Sequence, residues 1–174
     1  MKRVSILGAT GSVGRSTIDL LARSPERFEV VALTANCDVD GLAAAARSLR
    51  AKLAVVADER CLPALREALS GSGIETAGGA QAVCDAAAMP CDWTMAAIVG
   101  AAGVKPVMAA LGHGAAVALA NKEALVCAGD LVTARAAETG AILLPVDSEH
   151  NAIFQCLDPQ QARAVRRIIL TASG

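Results

Sequence analysis

Asp147-Ser148-Glu149-His150-Asn151 sets two carboxylates, a hydroxyl and an imidazole in five consecutive positions. Asp147 and Glu149 stand two apart, so in extended backbone they project to the same side and can share a hard divalent cation. Two carboxylates leave an octahedral shell unfilled, and water, substrate or further protein ligands must complete it. The plain alternative makes Asp147 or Ser148 the cap of a helix running through Ile153 and Phe154, and capping can coexist with metal binding. His150 either orients a carboxylate or lies on the surface. A second cluster, Asn121-Lys122-Glu123, opens a helical pattern that carries Leu125, Val132 and Ala136. Capping accounts for Asn121 and for an acid in the first turn. It does not account for Lys122, because a cation is disfavoured at a helix N-terminus, so Lys122 is expected to face a bound anion.

The third element is Gly8-Ala9-Thr10-Gly11-Ser12-Val13-Gly14, a GxxGxxG spacing that follows the apolar run from Val4 to Leu7. A helical stripe then begins with Val13, Thr17, Leu20 and Leu21. Strand, glycine turn and helix in that order suit a dinucleotide. The glycines let backbone come close to a pyrophosphate, whose charge sits at the helix N-terminus. The competing reading is an ordinary strand-to-helix connection.

These clusters need a scaffold, and the rest of the chain supplies its pattern. Strand-like runs at 30–33, 53–56, 74–76, 95–99, 115–119 and 142–144 alternate with helical patterns around Leu42 to Leu49, after Pro63, over Gln81 to Ala88, from Val104 to Leu111 and from Asn121 onward. The runs are apolar throughout, as expected of strands covered on both faces. Repeated βα units of this kind predict an α/β fold, a Rossmann-like doubly wound parallel sheet with right-handed crossovers. Ligands of such sheets sit beyond the carboxyl ends of the strands. There the sequence places Gly8 to Gly14, Ala35 to Asp38, Gly100 to Gly103, Asn121 to Glu123 and Asp147 to His150. Gly71-Ser72-Gly73 and His113 fall at the opposite edge and read as structural. Arg167 to Thr171 reads as one more strand, ending in Ala172-Ser173-Gly174.

A chain of 174 residues is long enough to bury a core. Its formal net charge of −1 gives no electrostatic reason to bind nucleic acid or an anionic membrane. The longest charge-free stretch, Pro106 to Asn121, is shorter than the roughly 20 residues a membrane span requires, and Gly112 and Gly114 interrupt it. Met1-Lys2-Arg3 is followed at once by a glycine-broken apolar run, which does not make a secretory signal. Cys37, Cys61, Cys84, Cys91, Cys127 and Cys156 are scattered with no metal-ligand spacing, and they read as small buried hydrophobes of a reducing cytoplasm.

With these clusters in place, the whole chain resembles the N-terminal part of the 1-deoxy-D-xylulose 5-phosphate reductoisomerase family. The resemblance is carried by GATGSVGRST, AAIVGAAG, ALANKEALV, LLPVDSEHNAIFQCL and ILTASG, in that order. It implies conversion of 1-deoxy-D-xylulose 5-phosphate to 2-C-methyl-D-erythritol 4-phosphate with NADPH and Mg²⁺ or Mn²⁺, in non-mevalonate isoprenoid biosynthesis. By position, Gly8, Thr10, Gly11, Ser12, Val13 and Gly14 would form the cofactor cradle. Ala35 and Asn36 would lie by the adenosine ribose, and Asn121 and Glu123 would also reach the cofactor. Lys122 and Glu149 would be catalytic, and Lys122, Ser148, Glu149 and Ser173 would touch the sugar phosphate. Asp147 and Glu149 would hold the metal. The resemblance further implies residues 1–146 as an NADPH-binding domain and 147–174 as the start of a second, catalytic α+β domain, truncated here. It implies a homodimer for the full-length protein.

One departure concerns the cofactor: after Asn36 many relatives place a basic residue and Asn, where this chain has Cys37 and Asp38. A 2′-phosphate calls for a cation, and an acid near the end of the second strand is an NAD-like feature. Arg15 is the candidate for the missing charge. Two other functions compete. A semialdehyde-type dehydrogenase also favours a GATGxVG opening but needs a nucleophilic Cys with a base beside it, and neither Cys127 nor Cys156 has an activating neighbour in sequence. A non-catalytic nucleotide-sensing module explains the glycine turn and leaves the acidic cluster without a role. The family's third acidic ligand and lid are expected beyond residue 174. The chain alone is therefore predicted to be catalytically inactive, and metal-dependent NADPH oxidation with the sugar phosphate by these residues would refute that.

Overall fold

The structure, a computed structural model, describes residues 1–169. Seven strands form one fully parallel sheet: β1 (Lys2–Leu7), β2 (Phe28–Ala35), β3 (Leu53–Val56), β4 (Glu75–Gly78), β5 (Trp93–Ala96), β6 (Ala116–Leu119) and β7 (Ile142–Pro145). Their spatial order is β4-β3-β2-β1-β5-β6-β7, so β4 and β7 are the margins and the chain reverses direction across the sheet between β1 and β5. That reversal is the topological switch point, where the loops after β1 and β5 diverge and leave a crevice. Leu7 stands opposite both Thr34 and Ala96, and Leu119 stands opposite Ala96 and Pro145, so the carboxyl ends are level along one edge.

The helices are α1 (Ser12–Ala22), α2 (Val39–Leu49), α3 (Leu62–Ala68), α4 (Ala80–Ala87), α5 (Val104–Ala110), α6 (Glu123–Thr139) and α7 (Ser148–Cys156). Alternate strand residues serve opposite faces of the sheet. Val4, Ile6, Met95 and Ala118 belong to a buried cluster on one face, Leu7, Ala96, Val117 and Leu119 to a second, and Ala32, Val55, Val83 and Ala86 to a smaller third. Leu42 and Leu65 cover the first face, while Val107, Val132 and Ala136 cover the second. Small side chains are frequent in all three clusters, so helices lie close on the sheet without large rings. Among the described residues no helix is long and apolar enough to cross a membrane.

Several sequence expectations shift. The fifth strand stops at Ala96, because Ala97 to Val99 turn away to build the loop at the switch point. Leu20 faces solvent, and the small Gly14 takes the inward place on the α1 stripe beside Thr17 and Leu21. The long helix begins at Glu123 instead of Asn121, and it is broken at Ala128 (φ −147°, ψ 31°), just before Gly129. Only Cys91 is buried; Cys37, Cys127 and Cys156 are exposed, because they sit on a loop and on outward faces of α6 and α7, and all six thiols are free. Arg167 to Ile169 adopt no strand, and Leu170 and Thr171 lie outside the described residues, as does Ser173.

The seating of α1 depends on missing side chains. A Cβ at Gly14 would lie 2.3 Å from the Gly8 carbonyl oxygen and 2.6 Å from that of Ala9, whereas one at Gly11 would clear its nearest neighbour by 3.4 Å. Gly14→Ala is expected to lower unfolding free energy by about 1–3 kcal/mol, since backbone must move to admit the methyl. Gly11→Ala should stay within about 0.5 kcal/mol of the parent. Urea denaturation followed by circular dichroism measures both.

Candidate functional site

The turn after β1 is tied to β2. Gly8 N–H and Ala9 N–H both donate to the Thr34 carbonyl, at 3.1 and 2.7 Å, and Gly8 N–H also reaches Thr34 Oγ1 at 3.1 Å. Gly8 adopts φ +84°, and a Cβ there would lie 2.6 Å from the Ala97 carbonyl oxygen, so only glycine brings the β1 and β5 loops together. Gly11 is the N-cap of α1 and has no side chain to accept from the first turn, which also lacks an acid. The first N–H groups of a helix have no intrahelical acceptor, so those of Ser12, Val13 and Gly14 form a ready anion cradle.

A cavity of about 460 Å³ opens beside this turn, lined by Gly8, Thr10, Gly11, Ala35 and Asn36 on one side and by Ala102, Lys105 and Pro106 on the other. Its mostly apolar lining, with a few polar groups such as Thr10, Asn36 and Lys105, suits an adenosine. Thr34, Lys105 and Pro106 were not among the residues read from the sequence. The Gly100–Gly103 loop before α5 was the available signal, since it places Lys105 and Pro106 in the first helical turn at the functional edge.

Asn121, 3% exposed, organises the second loop. Its amide donates to the carbonyls of Ile98 and Gly100, and its Oδ1 accepts from Ala124 N–H at 3.2 Å. The expected cap is therefore present, and the side chain is fully engaged by protein groups, which leaves any cofactor contact at this position to the backbone. A smaller cavity of about 150 Å³ is lined together by Gly11, Ser12, Val13, Asn121, Lys122, Glu123 and Asp147. The glycine turn and the start of the acidic cluster thus open on one cleft.

Asp147 and Glu149 do not lie in extended backbone: Asp147 is the N-cap of α7 and Glu149 stands in its first turn. The two acids therefore do not share one side of an extended segment; the helix through Ile153 and Phe154 forms instead, beginning at Ser148. The Asp147 side chain accepts no capping hydrogen bond from the first N–H groups of α7. Its carboxylate instead meets Lys122 Nζ at 3.3 Å and His150 Nδ1 at 3.1 Å. Ser148 donates to Glu149 Oε2 at 3.0 Å, and the Asn151 amide donates to the Pro145 carbonyl at 2.7 Å, fixing the first turn of α7 to the end of β7. The anion facing Lys122 is thus Asp147. Burial pushes the Asp147 carboxyl up, but its bond to the Lys122 ammonium, that ammonium's charge and the contact with His150 outweigh it and hold the group below its ordinary value. Lys122 is raised, chiefly by its hydrogen bond to Asp147. Oxygen donors of this kind match a hard divalent ion, and among the described residues no group of three or more His, Cys, Asp or Glu is gathered for one. Cys127 and Cys156 line neither cavity, and His113 lies by buried Cys91, its Nε2 4.0 Å from the sulfur.

The family model of 1-deoxy-D-xylulose 5-phosphate reductoisomerase matches residues 4–129, and that of the same enzyme's C-terminal domain matches residues 143–174. The chain is 59% identical to the 1-deoxy-D-xylulose 5-phosphate reductoisomerase of Cereibacter sphaeroides (strain ATCC 17025 / ATH 2.4.3) across all of this chain and 45% of that protein. It superposes on the Zymomonas mobilis enzyme, solved in complex with NADPH, with a TM-score of 0.93 and 54% identity, over 95% of this chain and 44% of that one. A reductoisomerase solved with NADPH, fosmidomycin and magnesium matches with a TM-score of 0.87 and 38% identity, over 92% of this chain and 40% of that one. The chain therefore spans less than half the length of these relatives.

The Asp147 shift sets a pH signature. A carboxyl whose folded pKa is depressed adds stability above its unfolded value, and that stability is lost as pH falls through the folded one. Asp147→Asn should accordingly be less stable than the parent at pH 7, with the gap closing below the ordinary carboxyl value of 3.8. Denaturation midpoints of the two proteins across pH 2 to 7 test this.

Proposed function

The chain belongs to the 1-deoxy-D-xylulose 5-phosphate reductoisomerase family, and on that premise we propose that it forms the nucleotide-binding part of an enzyme making 2-C-methyl-D-erythritol 4-phosphate from 1-deoxy-D-xylulose 5-phosphate. The observation that carries this reading is the shared cleft, in which the α1 cradle and the Lys122–Asp147 pair line one cavity. The reading divides the chain into an NADPH domain over 1–146 and the start of a metal- and substrate-binding domain over 147–174. It places the working enzyme in the cytoplasm as a homodimer acting on a small sugar phosphate, without nucleic acid or membrane.

Within that reading, the N–H groups of Ser12, Val13 and Gly14 hold the cofactor diphosphate, with Thr10 and Gly11 shaping the turn. Ala35 and Asn36 border the adenosine ribose, and Glu123 lies beside the same cleft. The side-chain-free approach at Gly8 and Gly14 fits a dinucleotide, and the paired acids fit Mg²⁺ or Mn²⁺. When bound, NADPH supplies the hydride and the divalent ion the charge stabilisation at substrate oxygens. The protein's own part is positioning: Asp147 and Glu149 offer ligand oxygens, Ser148 and Lys122 face the sugar phosphate, and Ser173 belongs to the substrate side. Lys122 stays protonated throughout the neutral range, so it acts as a fixed positive charge.

A chimera tests the proposal. The corresponding segment of the Zymomonas mobilis enzyme is replaced by residues 1–174, and NADPH oxidation is followed with 1-deoxy-D-xylulose 5-phosphate. Metal-dependent turnover is expected, and Asp147→Asn or Glu149→Gln should cut it by about a hundredfold or more. A folded chimera that binds NADPH and turns over equally well with either acid replaced would overturn the assignment. Stabilisation of the 174-residue chain by NADPH in a thermal melt provides the independent readout.

A further inference from the structure

The loop after β2 poses a charge problem for a phosphorylated cofactor. Asn36 and Cys37 bring no cation, and Asp38 brings an anion where a ribose 2′-phosphate would lie. Both Asp38 oxygens are engaged. Oδ1 accepts from Gly41 N–H at 2.9 Å, capping α2, and Oδ2 meets the Arg15 guanidinium at 3.6 Å. The cap places the acid against the positive end of α2, which offsets its charge.

Arg15 comes from the first helix, one residue past Gly14, and its side chain is 70% exposed. It lines a groove of about 330 Å³ between α1 and α2 that shares Thr10 with the adenosine cavity. Its contact to Asp38 is single and long, so the planar fork keeps donors free for a second anion. Two other cations stand near. Arg60, in the turn after β3, is paired with Asp58 through both carboxylate oxygens at 2.7 to 3.2 Å, so its charge is more closely matched by an acid than that of Arg15. Lys105 lines the adenosine cavity from the β5 side, across from Asn36.

We propose that Arg15, tethered over the β2 loop by Asp38, is the residue by which this chain selects a 2′-phosphorylated adenosine cofactor over one with a free 2′-hydroxyl. This rests on the nucleotide-site reading above and adds the specificity determinant. Asp38 thereby serves as a positioning residue for Arg15 and not as an NAD-type ribose ligand.

The test is equilibrium binding of adenosine 2′,5′-bisphosphate and of adenosine 5′-monophosphate to the 174-residue chain by calorimetry. The parent should prefer the bisphosphate, and Arg15→Ala should reduce that preference about tenfold or more while 5′-monophosphate affinity holds. Arg15→Lys should keep part of the preference. Asp38→Asn, which retains a capping oxygen but removes the charge that tethers Arg15, should also reduce the preference, and a preference that stays or rises in this variant would overturn the positioning of Arg15 by Asp38. A parent that binds both ligands equally, or an Arg15→Ala protein with the parental ratio, overturns the inference and leaves the nucleotide site standing. Loss of the preference in Arg60→Ala or Lys105→Ala with its retention in Arg15→Ala also overturns it. Failure of the parent to bind either ligand overturns both this inference and the reading beneath it.

Discussion

Contact between the α1 N-terminus and the carbonyls of Gly8 and Ala9 is the constraint from which the cleft follows. With no Cβ at residue 14, the helix axis approaches the turn closely enough for its unpaired N–H groups to face outward over the strand ends. With none at residue 8, the same turn comes up against Ala97 and draws the β5 loop to the β1 loop. Two missing methyl groups thus fix both walls at the switch point. A side chain at either place would separate layers that the apolar strands otherwise hold together.

Asn121 extends this arrangement toward the acidic cluster. It bonds the Ile98 and Gly100 carbonyls and caps the segment that opens α6, so the β5 loop and the base of Lys122 are fixed by one buried amide. From there Lys122 reaches Asp147, which the Asn151–Pro145 bond holds at the end of β7. Three consecutive strands, β5, β6 and β7, are therefore linked at their carboxyl ends by side chains that cross between loops. The electrostatic result is a pair with a strongly retained proton on Lys122 and a readily lost one on Asp147.

Much of this was legible in the sequence because it is local. Continuous apolar runs such as Leu53–Val56 in β3 and Ala116–Leu119 in β6 mark strands covered on both faces, and the glycine spacing marks the α1 turn. Less legible was whatever depends on where an element ends. Residues 97–99 continue the β5 hydropathy, yet leave the sheet because the loop must meet Gly8 and Asn121. For Asp147 and Glu149 the sequence left two readings open, one side of an extended segment or the start of a helix through Phe154, and the helix from Ser148 is the one that forms. The Lys122–Asp147 and Arg15–Asp38 pairs join residues far apart in the chain, and only the level strand ends bring them together. Asn121 illustrates the limit at a single residue: its cap was readable, and its two bonds back to the β5 loop were not.

The margins of the sheet carry a different consequence. β4 and β7 each run for only four residues, and each ends in a residue poorly suited to further pairing, Gly78 and Pro145. Proline offers no donor, and a short border leaves an approaching strand few groups to zip onto. An otherwise apolar, alanine-rich sheet is thereby kept from acting as a template for its own growth, which guards against fibrous self-association.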